Sequence, residues 1–373
     1  MPLFLDVHSL DDPVALSDVT RAHDADLRTQ GGYGVSYLRY WVDGTAGKIF
    51  CLVDAPSADV AAAVHREAHG LVAQEIYQVT EGGADPTTEH ESSPNEHPDH
   101  APAEAWDAIA AGYAEHVAPG EQRVSALALD LVALRADESF VDVAAGPGGL
   151  GLAAARRGAT VLATDWSPAM LAQFEAKVRS EGLANASGRV MDAHALDLEN
   201  DSFDVTGSQF GVMLVPDQTV ALREMVRVTK PGGRVLLIAY GSPAEFDALQ
   251  LFIAALQSVV PEFEGLPDPP PLEFQVSDPA VLRARLIAAG LSDVQVDTTE
   301  QERIEVSTGQ QAWDWMLYSN PITDMILEDV GEDARAKLRM ALDEMIRDRA
   351  DTAGVAVLTA PLNIGWGQKP GGR

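Results

Sequence analysis

Residues 141–151 read VDVAAGPGGLG, and this stretch decides the fold of the larger part of the chain. Residues 140–143 form an apolar run around one acid, which predicts a buried parallel strand. Gly146, Gly148 and Gly151 then predict a tight turn at the start of a helix. Such a turn lets a ligand approach the backbone closely, and the helix N-terminus offers it unpaired N–H groups.

A second predicted strand, residues 160–164, ends in Asp165, which stands nineteen residues after Gly146. An acid at about this distance from the first glycine is placed to accept hydrogen bonds from the hydroxyls of a ribose. Strand, glycine turn, helix, strand and acid together predict a nucleoside site in a doubly wound α/β domain. The three glycines alone fit a dinucleotide-dependent dehydrogenase equally well, so they leave that class open.

Four more elements stand at characteristic distances from the glycine turn along the chain. Asp142 stands four residues before Gly146, and Asp192 follows a strand at 188–191. A fourth strand begins at Phe203, and a helix, a Lys-Pro-Gly-Gly turn and a fifth strand occupy 223–238. This pattern, over roughly residues 104–300, resembles the class I S-adenosylmethionine-dependent methyltransferases, in the branch with the ubiquinone and menaquinone biosynthesis enzymes. Asp142 and the Asp192 element disfavour the dehydrogenase.

The resemblance implies a Rossmann-like, seven-stranded domain and a set of residues around S-adenosyl-L-methionine. In this set the glycine turn holds the methionine portion, an acid holds the ribose and an aromatic ring stacks on the adenine. An aspartate and its neighbour meet the adenine amino group, and the end of the fourth strand lies at the methyl-transfer face. The predicted cofactor-binding residues are Ala145, Gly146, Gly148, Asp165, Trp166, Asp192, Ala193, Gln209 and Phe210. Taken singly, each glycine also fits a plain turn, and each acid also fits a helix cap or a solvated loop.

The catalytic residue is unknown from the sequence, and two histidines are weak candidates for a general base. His116 and His194 are the only histidines after the predicted linker. His116 lies in a helix with Trp106 and Tyr113, where related methyltransferases cover the cofactor. Two further helices, near 309–327 and 332–349, are expected as an insertion (about 309–350) before a final strand at 355–358. Their aromatic residues fit either a lid over the acceptor or core packing.

Composition limits the partners. The 373 residues carry 57 acids and 26 lysines and arginines, a formal charge of −31, which disfavours nucleic acid and anionic membrane surfaces. No uninterrupted apolar stretch approaches the ~18 residues of a membrane span. The single cysteine, Cys51, fits a reducing cytoplasm, and we expect a cytoplasmic protein with a small-molecule acceptor.

The first 80 residues predict a separate domain with the order β-α-β-β-α-β, which is typical of a ferredoxin-like α+β fold. Two such units often pair through their sheets, so a homodimer is an expectation to test. Residues 81–103 hold six acids, no lysine or arginine and no large apolar side chain. Such a segment cannot bury enough surface to offset its ordering entropy, which predicts a flexible acidic linker before the domain at 104–373.

The N-terminal domain concentrates groups that bind metals. Asp6 and His8 alternate onto one face of a strand, and a histidine pair at i and i+4 shares one face of a helix. The runs at 6–8, 22–27, 50–56 and 64–70 resemble a family of small bacterial ferredoxin-like domains, one branch of which binds nickel. The resemblance implies a divalent metal, nickel first and zinc second, with candidate ligands His8, His23, Cys51, His65 and His69. Two surface histidines and a buried thiol are the alternative.

These patterns together predict methyl transfer to an O, N or C atom of a small, partly apolar molecule by an enzyme with a metal-binding module. A different class remains open, in which the chain is a metal sensor or carrier and its methyltransferase-like half only binds the cofactor.

Overall fold

The computed structural model describes residues 3–10, 16–43, 46–68, 70, 72–79, 101–263, 265–267, 270–328 and 330–371. The chain divides into two compact units, Met1–Pro94 and Asn95–Arg373. Most of the predicted acidic linker lies outside the described residues.

The N-terminal unit has the predicted β-α-β-β-α-β order. Its sheet runs β2-β3-β1-β4, with β3 antiparallel to both neighbours and β4 antiparallel to β1. This arrangement confirms the ferredoxin-like α+β expectation. The elements are β1 Leu3–Ser9, α1 Leu16–Thr29, β2 Ser36–Asp43, β3 Lys48–Asp54, α2 Ala58–Ala68 and β4 Glu75–Val79.

The register separates the two faces of this sheet. Asp6 pairs with Cys51, and both side chains are buried on the inner face. His8, two residues further along β1, shares that face because side chains alternate along a strand. The opposite face carries Leu5 and Phe50, which are only half-buried. The inner face therefore holds Asp6 and His8 among apolar core residues such as Phe4, Ile49 and Val53, and the outer face carries apolar side chains as well.

The larger unit is built on a mixed sheet with the order β10-β12-β9-β8-β5-β6-β7. Strands β9, β8, β5, β6 and β7 run parallel to one another, and β12 is antiparallel to β9 and β10. This arrangement confirms the Rossmann-like expectation, with the seven expected strands in one path and an eighth strand paired beside it. The strands are β5 Ser139–Val143, β6 Thr160–Asp165, β7 Ala186–Val190, β8 Phe203–Gln209, β9 Thr229–Tyr240, β10 Ser292–Asp297, β11 Gln301–Val306 and β12 Ala356–Gln368.

Helices cover this sheet, and a π-helical turn, Tyr113–Val117, joins the first two of them. Apolar side chains of both helix layers and of the strands form one large core around Phe140 and Leu236. The helices are α3 Ala103–Gly112, α4 Ala118–Leu131, α5 Gly149–Arg156, α6 Pro168–Glu181, α7 Gln218–Val228, α8 Asp247–Val259, α9 Pro279–Ala288, α10 Gly309–Ser319, α11 Ile322–Leu327 and α12 Glu332–Arg349.

The region after β10 differs from the expectation in three ways. Strand β11 is additional and pairs with the first half of β12. The final strand is thirteen residues long and not four, because β12 changes partner at Pro361 and continues along β9. The helix expected over 309–327 is broken before Pro321, where Asn320 is extended, since a residue that precedes proline avoids the α conformation.

The inserted helices form a second core with α8 and the first half of β12. Trp313, Trp315 and Leu342 are buried in it, and Ile304 of β11 joins them. The aromatic side chains expected either as a lid or as core packing are therefore mostly core. Some of them also line a cavity, described below.

Candidate functional site

A cleft of about 810 Å³ opens at the carboxyl ends of β5, β6 and β8. Ligands bind at this edge in doubly wound sheets because the loops there are free to contact them. Eight of the nine predicted cofactor residues line the cleft: Ala145, Gly146, Asp165, Trp166, Asp192, Ala193, Gln209 and Phe210. The sheet thus brings together residues that lie up to 65 positions apart.

The walls of this cleft are held in uncommon backbone conformations. Ala144, Gly146 and Phe210 have φ values of 53°, 54° and 57°. For the two non-glycine residues this left-handed region is strained. The loop after β8 lies close to the loop after β5 at Gly211, where an added Cβ would lie 2.3 Å from the Ala144 carbonyl oxygen. The loops after β5 and β8 therefore pack backbone against backbone.

Gly148 is the one predicted cofactor residue that does not line the cleft. Its φ is 88°, and an added Cβ would lie 2.1 Å from the Phe174 ring. It precedes α5 and packs under α6, so its contribution is to the shape of the turn. The glycine spacing does not distinguish a ligand-facing glycine from a packing one.

Asp165 is buried at the centre of the cleft. Its carboxyl group faces the cleft and also holds the glycine turn in shape. Its two carboxyl oxygens accept hydrogen bonds from the Gly146 N–H at 2.8 Å and the Ser167 N–H at 2.9 Å. Burial raises the pKa of Asp165 to about 6, although these backbone N–H donors act in the opposite direction. The Asp165 carboxylate has further lone pairs, and it lines the cleft. These lone pairs suit hydrogen bonds from ribose hydroxyls.

Asp142 lies below the turn. Its Oδ2 accepts the Gly151 N–H at 2.7 Å, which fixes the start of α5 against the end of β5. Burial raises its pKa to about 8. Asp142 therefore stabilises the turn from beneath and does not line the cleft.

At the far end of the cleft, Asp192 is about half exposed and accepts the N–H of His194. The His194 ring donates from Nδ1 to Asp192 at 2.7 Å and accepts the Asp217 N–H at Nε2, 3.2 Å away. Both ring nitrogens of this candidate base are thus engaged in holding the loop. His116, the other candidate base, stacks on Tyr318. It lines neither this cleft nor the second cavity described below.

Helix α3 closes one side of the cleft. Asp107 accepts hydrogen bonds from the Ser167 hydroxyl at 2.5 Å and the Ala169 N–H at 2.9 Å, which ties α3 to the start of α6. Trp106, from the same helix, lines the cleft and packs against Met170. The expectation that this segment covers the nucleoside site agrees with these contacts.

Glu121 of α4 is a cleft residue that the sequence pattern does not reveal. Its Oε1 accepts the Tyr113 hydroxyl at 2.6 Å, and its Oε2 lies 3.1 Å from where a Cβ on Gly149 would be. Burial raises its pKa to about 7. A buried carboxyl beside the glycine turn is costly unless a cation or a proton neutralises it. A single acid in a helix carries no spacing signal that would have found it.

A second cavity, of about 900 Å³, adjoins the cleft. Three side chains, Tyr113, Phe210 and Leu214, line both spaces. The rest of the lining comes mostly from the inserted region and α8, and it is largely apolar and aromatic. It includes Tyr240, Phe246, Leu249, Phe252, Ile253, Phe263, Leu266, Pro271, Phe274, Trp315, Met316, Ile322 and Ile326, with polar groups at Glu273, Ser319, Asn320 and Thr323.

In the N-terminal unit, three predicted metal ligands come together inside the fold. One ligand atom each of His8, Cys51 and His65 lies within 4.8 Å of the others, and all three residues are buried. Metal–nitrogen and metal–sulfur bonds of about 2.0–2.3 Å would draw them slightly closer. An imidazole and thiolate set suits nickel and zinc, so the residues present fit the implied ion.

His65 also contacts two buried carboxylates. Its Nδ1 lies 3.0 Å from Asp26 and its Nε2 lies 3.1 Å from Asp6. Burial lowers the pKa of His65, but the hydrogen bonds to Asp26 and Asp6 outweigh it and raise the pKa to about 9. If one ring nitrogen of His65 bound a metal ion, the carboxylate beside that nitrogen would either move away or become a further ligand. The other nitrogen would keep its carboxylate, as metal-binding imidazoles usually do.

The remaining candidates are placed differently. His23 is not one of the three residues whose ligand atoms come together, and its ring lies 4.6 Å from that of Tyr40 and 6.2 Å from that of Tyr37. His69 lies outside the described residues. Among the described helices, none has the length and apolarity to cross a bilayer.

Two family models match different parts of the chain. Residues 4–79 match the family of the nickel responsive protein SCO4226-like, and residues 141–237 match a methyltransferase domain family. The solved structure of SCO4226 from Streptomyces coelicolor A3(2) is 33% identical over 22% of this chain and 99% of its own, with a TM-score of 0.21.

Curated relatives match parts of the chain, and two of them serve as examples. An uncharacterized protein of Mycobacterium tuberculosis is 41% identical over 27% of this chain and 36% of its own length. A demethylmenaquinone methyltransferase of Beutenbergia cavernae is 36% identical over 35% of this chain and 56% of its own length. The chain thus spans about a third to a half of the curated relatives that it matches.

Proposed function

We propose that this chain, which joins an SCO4226-like domain to a class I methyltransferase domain, transfers a methyl group from S-adenosylmethionine to a small, partly apolar acceptor. The observation that carries the proposal is the junction of two cavities at Tyr113, Phe210 and Leu214. One cavity has the chemistry of a nucleoside site, and the other is apolar. Two adjoining binding sites suit a reaction between two bound molecules, because methyl transfer is fastest when both molecules are held in line.

The cleft residues divide the cofactor among them. We assign Asp165 to the ribose, Trp166 to the face of the adenine, and Asp192 with Ala193 to its edge, and the support is that all four line the cleft. When bound, the cofactor supplies a methyl group activated on a sulfonium. The protein supplies orientation and a largely dry junction, since the lining on the acceptor side is mostly apolar.

Glu121 is proposed to neutralise the cationic methionine portion. Its carboxyl lies beside Gly149 in the glycine turn and has a pKa near neutrality, so that a nearby ammonium or sulfonium would favour its ionised form. Tyr113 holds the carboxyl in place from the junction side.

Calorimetry with S-adenosylhomocysteine tests the cofactor assignment. Asp165→Ala should weaken binding by about 1.5–3 kcal/mol, the scale of hydrogen bonds to a charged group. Asp197→Ala is the matched control, because that carboxylate is largely exposed on the same domain. Undiminished binding by Asp165→Ala would reduce Asp165 to a structural acid, and binding of nicotinamide dinucleotides instead would favour the dehydrogenase.

The N-terminal unit is proposed to bind a divalent metal, nickel first and zinc second, through His8, Cys51 and His65. The support is their buried grouping and the match to a nickel-responsive family. A thiolate ligand requires reducing conditions, which favours a cytoplasmic location. Because protons compete for imidazole and thiolate, binding should weaken as the pH falls.

The metal proposal is tested by titrating the full chain with NiCl2 and ZnCl2 against a competing chelator. His8→Ala and Cys51→Ala should lower the affinity for either ion by tenfold or more, on the order of 1.4 kcal/mol. His23→Ala should have a smaller effect, since its ring lies against Tyr40. Equal metal retention by a His8→Ala/Cys51→Ala double variant would leave these residues as ordinary core.

A homodimer through the outer face of the N-terminal sheet is part of the proposal. Trp41 and Tyr77 are 50% and 52% exposed there, beside Leu5 and Phe50. Sedimentation of the full chain should give a dimer, and Phe50→Asp should give a monomer. A monomeric parent protein would exclude this interface.

The alternative function is a metal sensor or carrier that only binds the cofactor. The grouping of His8, Cys51 and His65 favours a metal role but is neutral about turnover. Methyl transfer to any acceptor by the full chain distinguishes the two functions, and its absence across apolar hydroxyl, amine and carbon acceptors would favour the sensor.

A further inference from the structure

A groove of about 490 Å³ lies against the glycine turn, between helices α4, α5 and α6. Pro147 and Gly149 of the turn line both this groove and the proposed cofactor cleft, and the two spaces share no other lining residue. Glu121 and Gln122 are neighbours on α4, yet the first lines the cleft and the second lines the groove. The groove therefore lies on the opposite side of the turn from the cleft.

The lining of this groove is apolar in one part and charged in another. The apolar part is formed by Ala114, Ala118, Pro119 and Leu152. The polar part comes from all three helices and consists of Gln122 of α4, Arg156 of α5, and Lys177 and Glu181 of α6. These polar residues are exposed, so a molecule from solution can reach them.

Arg156 and Glu181 join α5 to α6 across the groove lining. Arg156 Nε donates to Glu181 Oε2 at 2.7 Å, and Arg156 Nη2 donates to Glu181 Oε1 at 2.6 Å. The third guanidinium nitrogen, Nη1, has no hydrogen bond to any residue in the described part of the chain. Both side chains are about a third exposed, so water screens the pair and an anion can compete for the guanidinium.

Lys177 adds a second cation beside this pair. It stands four residues before Glu181, which places both side chains on one face of α6. Hydrogen bonds from Arg156, and after them the charge of Lys177, hold the pKa of Glu181 below its usual value. Lys177 has no ion pair within the described ranges. The groove thus carries two cations and one acid, in a chain whose formal charge is −31, and this local excess of positive charge favours an anion.

We propose that this groove binds a phosphate group, either free phosphate or the head of a small ester, and that its occupation tightens cofactor binding. Lys177 Nζ, Arg156 Nη1 and the Gln122 amide are donors of the kind that phosphate oxygens accept. Glu181 competes with the phosphate for Arg156. The space beside Leu152 is available to the organic part of an ester.

The effect on the cofactor follows from the shared turn. A ligand that contacts three helices and the turn restricts the motion of Pro147 and Gly149. The cofactor then binds to a turn that is already ordered, at a smaller entropic cost. This coupling rests on the proposed cofactor site, whereas the phosphate site itself does not depend on methyl transfer.

Phosphorus NMR with the full chain tests the site, with inorganic phosphate and phenyl phosphate as probes at constant pH and ionic strength. Lys177→Gln should weaken the binding of each probe about threefold to fivefold, the scale of an exposed ion pair. Glu181→Gln should instead strengthen binding, because Arg156 loses its competing carboxylate. Lys337→Gln and Glu344→Gln are the matched controls, since they make the same two charge changes at exposed positions of α12.

The two probes also separate the sources of the phosphate group. Tighter binding of phenyl phosphate supports an ester, whose organic part contacts the apolar lining, and equal binding supports free phosphate. If neither probe binds, or if Lys177→Gln and Glu181→Gln behave as their controls on α12 do, the site is overturned.

Calorimetry with S-adenosylhomocysteine tests the coupling. Saturating phenyl phosphate should raise the affinity of the full chain for S-adenosylhomocysteine about fivefold, and S-adenosylhomocysteine should raise the affinity for phenyl phosphate by the same factor. Lys177→Gln should bind S-adenosylhomocysteine as the parent does when no phosphate is present, because Lys177 does not line the cleft. An affinity that phosphate leaves unchanged would overturn the coupling while the phosphate site stands. Absence of S-adenosylhomocysteine binding by the parent, with or without phosphate, would instead overturn the proposed function.

Discussion

The proposed cofactor cleft and the proposed acceptor cavity share three side chains but are built in different ways. The cleft is made largely of backbone: two loops with left-handed residues pack so closely that a Cβ on Gly211 would meet the Ala144 carbonyl. The acceptor cavity is made of side chains from helices and strands over two hundred positions, with aromatic rings on most sides. A backbone site tolerates little change, whereas a side-chain site is reshaped by any one of many substitutions.

This difference predicts the largest effect at Gly148. Gly148→Ala combines a positive φ with a Cβ placed 2.1 Å from Phe174, so we expect a loss of about 2–4 kcal/mol in the free energy of unfolding. Gly232→Ala has a similar φ of 78° but nothing within 4 Å, and it should cost only about 1 kcal/mol. Urea unfolding of both variants checks the contrast, and equal losses would mean that the turn is not tightly packed.

On the acceptor side, Ile253→Trp should separate the two cavities. Ile253 is half-buried and lines only the acceptor cavity, so the larger ring should fill that space. We expect the binding of a small aromatic probe, 4-nitrophenol, to fall about tenfold, or 1.4 kcal/mol, with the affinity for S-adenosylhomocysteine unchanged. A parallel loss of both affinities would contradict the independence of the two sites.

The buried acids predict how the stability of the ligand-free protein depends on pH. Burial raises the pKa values of Asp142 and Glu302 to about 8, from ordinary values of 3.8 and 4.5. The folded state therefore holds protons that the unfolded state releases, and stability falls as the pH rises from about 4 to about 8. Melting temperatures should fall less steeply for Glu302→Gln than for Glu305→Gln, which makes the same change on the exposed face of β11. Identical slopes would show that Glu302 is not the source.

The smallest expected effect is that of removing the N-terminal unit. A protein that begins at residue 101 should fold and bind S-adenosylhomocysteine as the full chain does, because the cleft is lined entirely by the larger unit. Calorimetry on the shortened and full chains checks this. A loss of folding would place part of the core of the larger unit before residue 101.

The sequence predicted best what depends on spacing along the chain. The glycine turn, Asp165 and Asp192 follow consecutive strands, so their meeting at one sheet edge is a consequence of topology. Glu121 and Glu302 carry no such signal, because each is a single acid in an ordinary helix or strand pattern. Their importance depends on burial, which only the packing of α4 and β11 reveals.

Strand β11 itself illustrates the limit. Half of its residues are charged, so it resembles a surface loop until its partner is known. The partner, β12, was expected to end at residue 358, but it continues through Pro361, Gly365 and Gly367, residues that weaken a strand. Local propensity was overridden by pairing with three different strands, β11, β9 and β10.

The change of partner within β12 has an evolutionary consequence. Its first half belongs to the inserted region and its second half to the sheet that supports the cofactor cleft, with Pro361 at the boundary. The segment from 301 to 355 is therefore an excursion that leaves and rejoins the sheet at neighbouring points. An exchange of this excursion would change part of the lining of the second cavity, from Trp315 to Ile326, without changing any residue that lines the cleft. New acceptor preferences are thus open to recombination as well as to point mutation.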